Sequence, residues 1–408
     1  MVSLADIRAA ERRISRCIIR TPLVFSPTFS EITGAQIYLK LETLQKAGSF
    51  KVRGASNKIL SHLTEIGNTG VVAASAGNHA QGVAVAAHSA DIPVTIIMPE
   101  WSSLSKQEAA RGYGAQVIIH GQSLEESIEK AQEIARTGLL LIHPYDDEEV
   151  IAGQGTIALE IFADLPDADM IVVPVGGGGL IAGIAIAAKE QNPDIKIIGV
   201  QAEACPSARE AIRQGSPFLV PAGKTIADGI RVAETGVATF PALQRYVDQL
   251  VLVSEEEIAD AILLLLERKH IVAEGAGAVP LAAIMNGSVE IVPGSKVVLV
   301  ISGGNIDSNQ LFRLIRQSLT RQGRIMRFSV ILDDQPGALA RLLSVITKER
   351  GNILQIHHAQ GDSDIPVQMA KVTIELETRG RNHSQSLREV LEENAYKICL
   401  GESDKKTV

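Results

Sequence analysis

At 408 residues the chain is long for a single core, and its 46% hydrophobic and 21% charged residues are those of a folded globular protein, which excludes a long disordered tract. A net charge of −8 leaves no basic footprint for nucleic acid or an anionic membrane, so small molecules are the expected partners. The apolar runs, such as 261–266, fall far short of the ~18–20 residues needed to cross a bilayer, and a cytoplasmic location is expected.

In chain order, Ser3 and Asp6 form a capping-box pattern for an N-terminal helix. Short β-branched runs then alternate with amphipathic stretches, at 37–41, 71–74, 94–98, 116–119, 170–175, 195–201, 250–253 and 297–301. Strands alternating with helices predict parallel sheets covered on both faces, because such strands read as continuous apolar runs. Around 318–323 the pattern changes, with Arg316, Arg321 and Arg324 marking a polar crossover. Beyond it the chain reads strand 326–332, helix 337–350, strands 352–360 and 368–376, helix 384–393 and strand 395–400, which is βαββαβ. Such a unit leaves sheet edges and a face for a partner. The predicted division is a body over 1–320, with a small lobe at about 47–148 inserted in a larger one, a linker at 321–325, and a second domain over 326–408. Cys17, Cys205 and Cys399 match no disulfide or metal spacing and read as buried thiols in a reducing compartment. Glu203 ends a strand, but one carboxylate is no metal constellation, so the metal site stays unknown.

Four segments carry candidate chemistry. In 47–54 (AGSFKVRG), Lys51 follows a turn and an aromatic and opens a helix running to about His62; a desolvated amine there forms imines with carbonyl compounds. Taken alone, the same lysine reads as a solvated surface residue. In 75–82 (SAGNHAQG), a strand end meets a helix start, where backbone donors suit a carboxylate and Asn78 offers an amide to an oxyanion; the plain alternative is a capping turn. Ser75, Gly77, Asn78 and His79 are therefore the candidate substrate contacts, although His79 has no carboxylate partner in the sequence. In 175–183 (VGGGGLIAG), Gly176, Gly177, Gly178 and Gly179 expose consecutive N–H groups at a helix N-terminus, which suits a phosphate dianion. The run lacks the dinucleotide and Walker A patterns, and the alternative is a flexible turn. In 299–305 (LVISGGN), Ser302 ends a buried strand, where its hydroxyl can meet a pyridine nitrogen or simply make a turn.

Together these four motifs, in this order, resemble the fold-type II pyridoxal-phosphate (PLP) enzymes of the threonine dehydratase and serine racemase family, from Thr21 to about Asp307. The resemblance implies an α/β, two-lobed parallel-sheet body that binds pyridoxal 5'-phosphate. It implies Lys51 as the imine-forming lysine and catalytic base, Phe50 on one ring face, Gly176 to Gly179 at the phosphate, Asn78 at the ring 3-oxygen and Ser302 at the pyridine nitrogen. Gly229 would line the other ring face and Glu274 would bring a carboxylate near the ring. L-threonine would lose water and then ammonia to give 2-oxobutanoate, and L-serine would give pyruvate. The leaving-group proton would come from the cofactor phosphate or a water. Racemase relatives resemble Ser-Ser-Gly-Asn-His where this chain has Ala76, which has no proton to give, so a one-sided dehydratase is expected. The segment 332–339 (LDDQPGAL), with Gly351, Asn352 and Ile353, resembles an ACT domain. That implies an α+β regulatory unit binding an amino-acid effector at Pro336, Gly337, Ala338, Leu339, Asn352 and Ile353. Isoleucine is the preferred effector, with valine or serine as alternatives, and a homodimer or homotetramer is expected. The competing readings are another fold-type II amino-acid lyase, such as a serine or hydroxyaspartate dehydratase, and a non-catalytic amino-acid-binding regulator.

Overall fold

The computed structural model describes residues 1–360 and 365–400, so the predicted second domain is described without 361–364 and 401–408. The chain forms two compact units, Met1–Ile306 and Asp307–Val408.

The first unit holds two sheets. The larger has the strand order Leu23–Phe25, Gln36–Leu41, Lys296–Ile301, Met170–Pro174, Lys196–Ala202, Gln249–Val253, and every pairing is parallel except that of the first two strands. The smaller has the order Gln116–Ile119, Val94–Met98, Val71–Ala74, Leu140–Leu141, all parallel. The predicted strands 71–74, 94–98 and 116–119 match, and most of the rest shift by a residue. Leu23–Phe25 and Leu140–Leu141 are additional. In the central strands, such as Met170–Pro174, every residue is buried, as a sheet covered on both faces requires.

Lys51–Ser61, the helix that opens on Lys51, is tied through charge to Glu42 and to the helix Glu148–Asp164. Arg53 is fully buried and forks between Glu42 Oε1 at 2.8 Å and Glu160 Oε1 at 2.7 Å. Lys40 Nζ donates to Glu160 Oε2 at 2.5 Å and to the Thr21 carbonyl at 2.7 Å. Burial penalises every one of these charges, but the mutual pairing outweighs it for Arg53, held above its ordinary value, and for Glu42, held below its own.

In the second unit the helix Ser308–Arg321 precedes a four-stranded antiparallel sheet with the order Asn352–Gln360, Met369–Glu377, Ile325–Asp333, Ile398–Leu400. Two helices, Ala338–Lys348 and Arg381–Glu393, complete the βαββαβ order. Alternate burial along Ile325–Asp333 places Phe328 and Val330 in a core with Leu342, Ile374 and Leu387, the pattern of a sheet covered on one face. The division between units falls at 306/307, not at 320. Ser308–Arg321 belongs with the sheet because Leu314 is buried, Arg316 pairs with Glu375, and Phe312, Ile315 and Leu319 line a cavity of about 290 Å³ with Ile325 and Leu354.

Of the cysteines only Cys205 is buried; Cys17 is intermediate and Cys399 exposed, which corrects the expectation of three buried thiols. Among the described residues no helix is long and apolar enough to cross a membrane, and no group of three or more His, Cys, Asp or Glu could hold a metal ion.

Candidate active site

The candidate site lies at carboxyl ends of strands, where open α/β sheets bind ligands. Val71–Ala74 runs into the Ser75–Gly77 turn and the helix Asn78–Ser89, Met170–Pro174 into the glycine run, and Lys296–Ile301 into Ser302. The turn before Lys51 is stitched to the last of these: Ser49 bridges Gly303, and the Phe50 N–H donates to the Ser302 carbonyl at 3.1 Å. One pocket is lined by Phe50, Lys51, Asn78, Gly176, Gly177, Gly178, Gly179, Gly229, Glu274 and Ser302, so every residue expected at the cofactor is brought together. Ser75, Gly77 and His79 do not line it.

Lys51 is the one basic side chain in the lining. Its Nζ donates to the Pro144 carbonyl at 2.8 Å and lies 5.2 Å from the centre of the Phe50 ring. Burial pulls its pKa down to about 8, against the opposing pull of Glu274. An amine in that range is in part unprotonated near neutrality and can act as nucleophile or base.

The glycine run is a shaped cradle. Gly178 caps Gly179–Gln191 with φ of 98°, a left-handed conformation that favours glycine, and the helix start has no side-chain cap. A Cβ on Gly177 would lie 2.3 Å from the Tyr145 ring, so the ring and the backbone need each other's space. The N–H groups of Gly176, Gly177 and Gly178 donate to no protein group among the described residues. Thr239 Oγ1 holds the loop from behind by donating to the Gly177 carbonyl at 2.8 Å. Unpaired N–H groups at a 13-residue helix N-terminus, facing a buried amine, fit a cofactor that carries both a phosphate and an aldehyde.

Glu274 is buried beside Asn78, whose Nδ2 donates to Glu274 Oε1 at 2.6 Å. Burial, with the charge of Asp228, pushes the Glu274 pKa up to about 8 despite that hydrogen bond and the nearby lysines, so at neutral pH the carboxyl keeps its proton. His79 donates from Nε2 to the Ile142 carbonyl at 2.8 Å, and burial next to the Lys51 charge drives its pKa down to about 3. It is therefore a neutral, buried imidazole whose side chain points away from the pocket lining. Ser75 Oγ accepts from the Gly77 N–H at 3.1 Å and so closes its own turn.

Sequence reasoning missed the loop 142–147. Pro144 holds Lys51, Tyr145 lines the pocket, and His143 Nδ1 accepts the Asp146 N–H at 2.8 Å to shape the loop. The available signals were the Pro-Tyr turn and Asp147 capping Glu148–Asp164, but neither says that the loop folds back over the glycine run. Asn305, ending the Ser302 turn, was missed in the same way. Of the predicted effector residues, none lines the 290 Å³ cavity of the second unit.

Residues 14–303 match the family described as pyridoxal-phosphate dependent enzyme. The chain is 48% identical over 401 residues to the L-threonine ammonia-lyase of Thermotoga maritima, covering 98% of this chain and 100% of that one. Among solved structures, the processed form of threonine deaminase isoform 2 from Solanum lycopersicum superposes with a TM-score of 0.73 at 36% identity, over 77% of this chain and 91% of that one. Maize serine racemase does so with a TM-score of 0.73 at 35% identity, over 79% and 99%. A full-length likeness to the first, together with a pocket whose amine and cradle fit the cofactor, makes this chain a member of the pyridoxal-phosphate-dependent enzymes, in the family of the L-threonine ammonia-lyases.

Proposed function

We propose that the pocket deaminates L-threonine to 2-oxobutanoate and ammonia, and L-serine to pyruvate. The observation that carries this reading is the one amine in the pocket lining, Lys51, which shares that pocket with an unpaired glycine cradle, with an alanine at position 76 in the turn ahead of Asn78.

When bound, pyridoxal phosphate supplies an aldehyde for imine formation and a conjugated ring that takes up the electrons released at the substrate Cα. Gly176 to Gly179 would hold its phosphate, Phe50 and Gly229 its two faces, Asn78 its ring oxygen, and Ser302 its pyridine nitrogen. Ser302 carries no charge to protonate that nitrogen, which keeps the electron demand on the ring moderate and favours elimination over transamination. Lys51 Nζ, as a free amine, would accept the Cα proton. Glu274 stays neutral and so brings no uncompensated charge into the wall. Ala76 has no proton to offer the opposite face of Cα, so the proton removed by Lys51 would not be replaced there, and the departing β-hydroxyl would take its proton from water.

The second unit is the proposed control element. Its support is the βαββαβ order and Gly337, which starts Ala338–Lys348 at φ of 89° with no side-chain cap, leaving helix N–H groups for an amino-acid carboxylate beside Pro336 and Leu339. Isoleucine is the preferred effector. Asn352–Gln360 is an edge strand, which supports a homodimer or homotetramer, and a cytoplasmic location accompanies the metabolic reading.

The test is a ketoacid assay with L-threonine and L-serine, each with and without isoleucine. The reading expects 2-oxobutanoate and pyruvate, with a saturation curve moved by isoleucine. Absence of both ketoacids, or rapid conversion of L- to D-serine, contradicts the catalytic part; an unmoved curve contradicts the control.

A further inference from the structure

Asn305 connects the two turns that meet at the pocket. Its Nδ2 donates to the Ala47 carbonyl at 2.7 Å and to Asn78 Oδ1 at 2.9 Å, with Gln81 Oε1 a longer third neighbour at 3.3 Å. An amide nitrogen has two hydrogens, and the two short contacts use both. The chain of bonds then runs on, since Asn78 Nδ2 donates to Glu274 Oε1 at 2.6 Å.

The polarity of this relay is fixed from one end. A backbone carbonyl can only accept, so the Ala47 oxygen requires the nitrogen of Asn305 on its side. The same nitrogen then faces Asn78, which must answer with its oxygen. The Asn78 nitrogen is left pointing at Glu274 and the pocket. Turning Asn78 over would set nitrogen against nitrogen at Asn305, losing that bond in a partly buried place where unmade bonds are expensive.

We propose that Asn305 is a positioning residue that fixes the amide orientation of Asn78, so that Asn78 presents a donor to the pocket occupied by Lys51 and Glu274. The proposal rests on the reading of this pocket as the pyridoxal-phosphate site. Asn305 does not line the pocket and acts through Asn78 alone. Its bond to the Ala47 carbonyl anchors the amide that faces Asn78.

The experiment compares holoenzyme carrying N305L, N78A, and both. Leucine keeps nearly the volume of asparagine but donates nothing. The readouts are the ratio of the cofactor's absorption bands in the near-ultraviolet and visible, and kcat/KM for threonine. The expected result is an N305L protein that loads cofactor, shows a band ratio changed about twofold or more, and loses about ten- to a hundredfold in kcat/KM, the scale of a displaced reacting group. In the N78A background N305L changes neither readout further, because the pair acts as one unit. An unaltered band ratio in N305L, or an equal additional effect in the N78A background, overturns the proposal. If N305L does not fold, N305A takes its place in the same cycle. An unmutated protein with no cofactor band at all overturns the reading of the pocket, and is told apart from failure of the relay by that control.

Discussion

Lys51 and Glu274 are driven toward their neutral forms by one cause, burial in the same pocket wall, and each brings the other's charge only partial relief. For Glu274 the sign follows directly. Its folded pKa of about 8 lies above the ordinary 4.5, so its contribution to stability is full below about 4.5 and is lost as pH rises toward 8. E274Q removes that dependence. Urea denaturation of the holoenzyme should show E274Q gaining about 1–3 kcal/mol on the unmutated protein at pH 8 relative to pH 5, the scale of an under-compensated buried charge; an equal difference at both pH values would refute it. Gly177 offers a second residue-scale test. A Cβ there meets the Tyr145 ring at 2.3 Å, and displacing a packed ring costs about 1–3 kcal/mol. G177A should therefore weaken pyridoxal-phosphate affinity about ten- to a hundredfold by equilibrium dialysis, while unaltered binding would mean that the ring yields freely.

The helix Lys51–Ser61 depends on a charge cluster for its place. Arg53 sits between Glu42 and Glu160, all but excluded from water, and removing one member of such a cluster leaves the others unpaired. R53A should cost about 3–5 kcal/mol in denaturant unfolding, and a loss under about 1 kcal/mol would show that the carboxylates are compensated elsewhere. Elements also set what the sequence could reveal. Strands 71–74 and 94–98 were legible because burial on both faces forces an apolar run, and the partly exposed edge strand 116–119 by its Val-Ile-Ile stretch. Leu140–Leu141 and Leu23–Phe25 are too short to show any period. The helix Ser308–Arg321 was assigned to the body because the visible change in pattern, the arginine-rich crossover, comes after it, whereas its apolar stripe turns to the next sheet in the chain.

At the scale of the whole molecule, the residues that bind through backbone or a local motif were legible: the glycine run, the lysine turn and the serine turn each announce themselves within a few positions. Tyr145, Pro144 and Asn305 were not, because their roles exist only once the loop 142–147 and the 302–305 turn close on segments far away in the chain. The side chain of His79 turns away from its neighbour Asn78, which lines the pocket, and toward the Ile142 carbonyl, a direction its motif does not reveal. The central claim is that the buried amine of Lys51 carries the cofactor. Borohydride reduction of the holoenzyme, followed by peptide mapping, tests it most directly. The account predicts the cofactor's mass fixed on the peptide containing Lys51 and a loss of threonine deamination in step with it; a label on another lysine, or none on a protein that still makes 2-oxobutanoate, would contradict it.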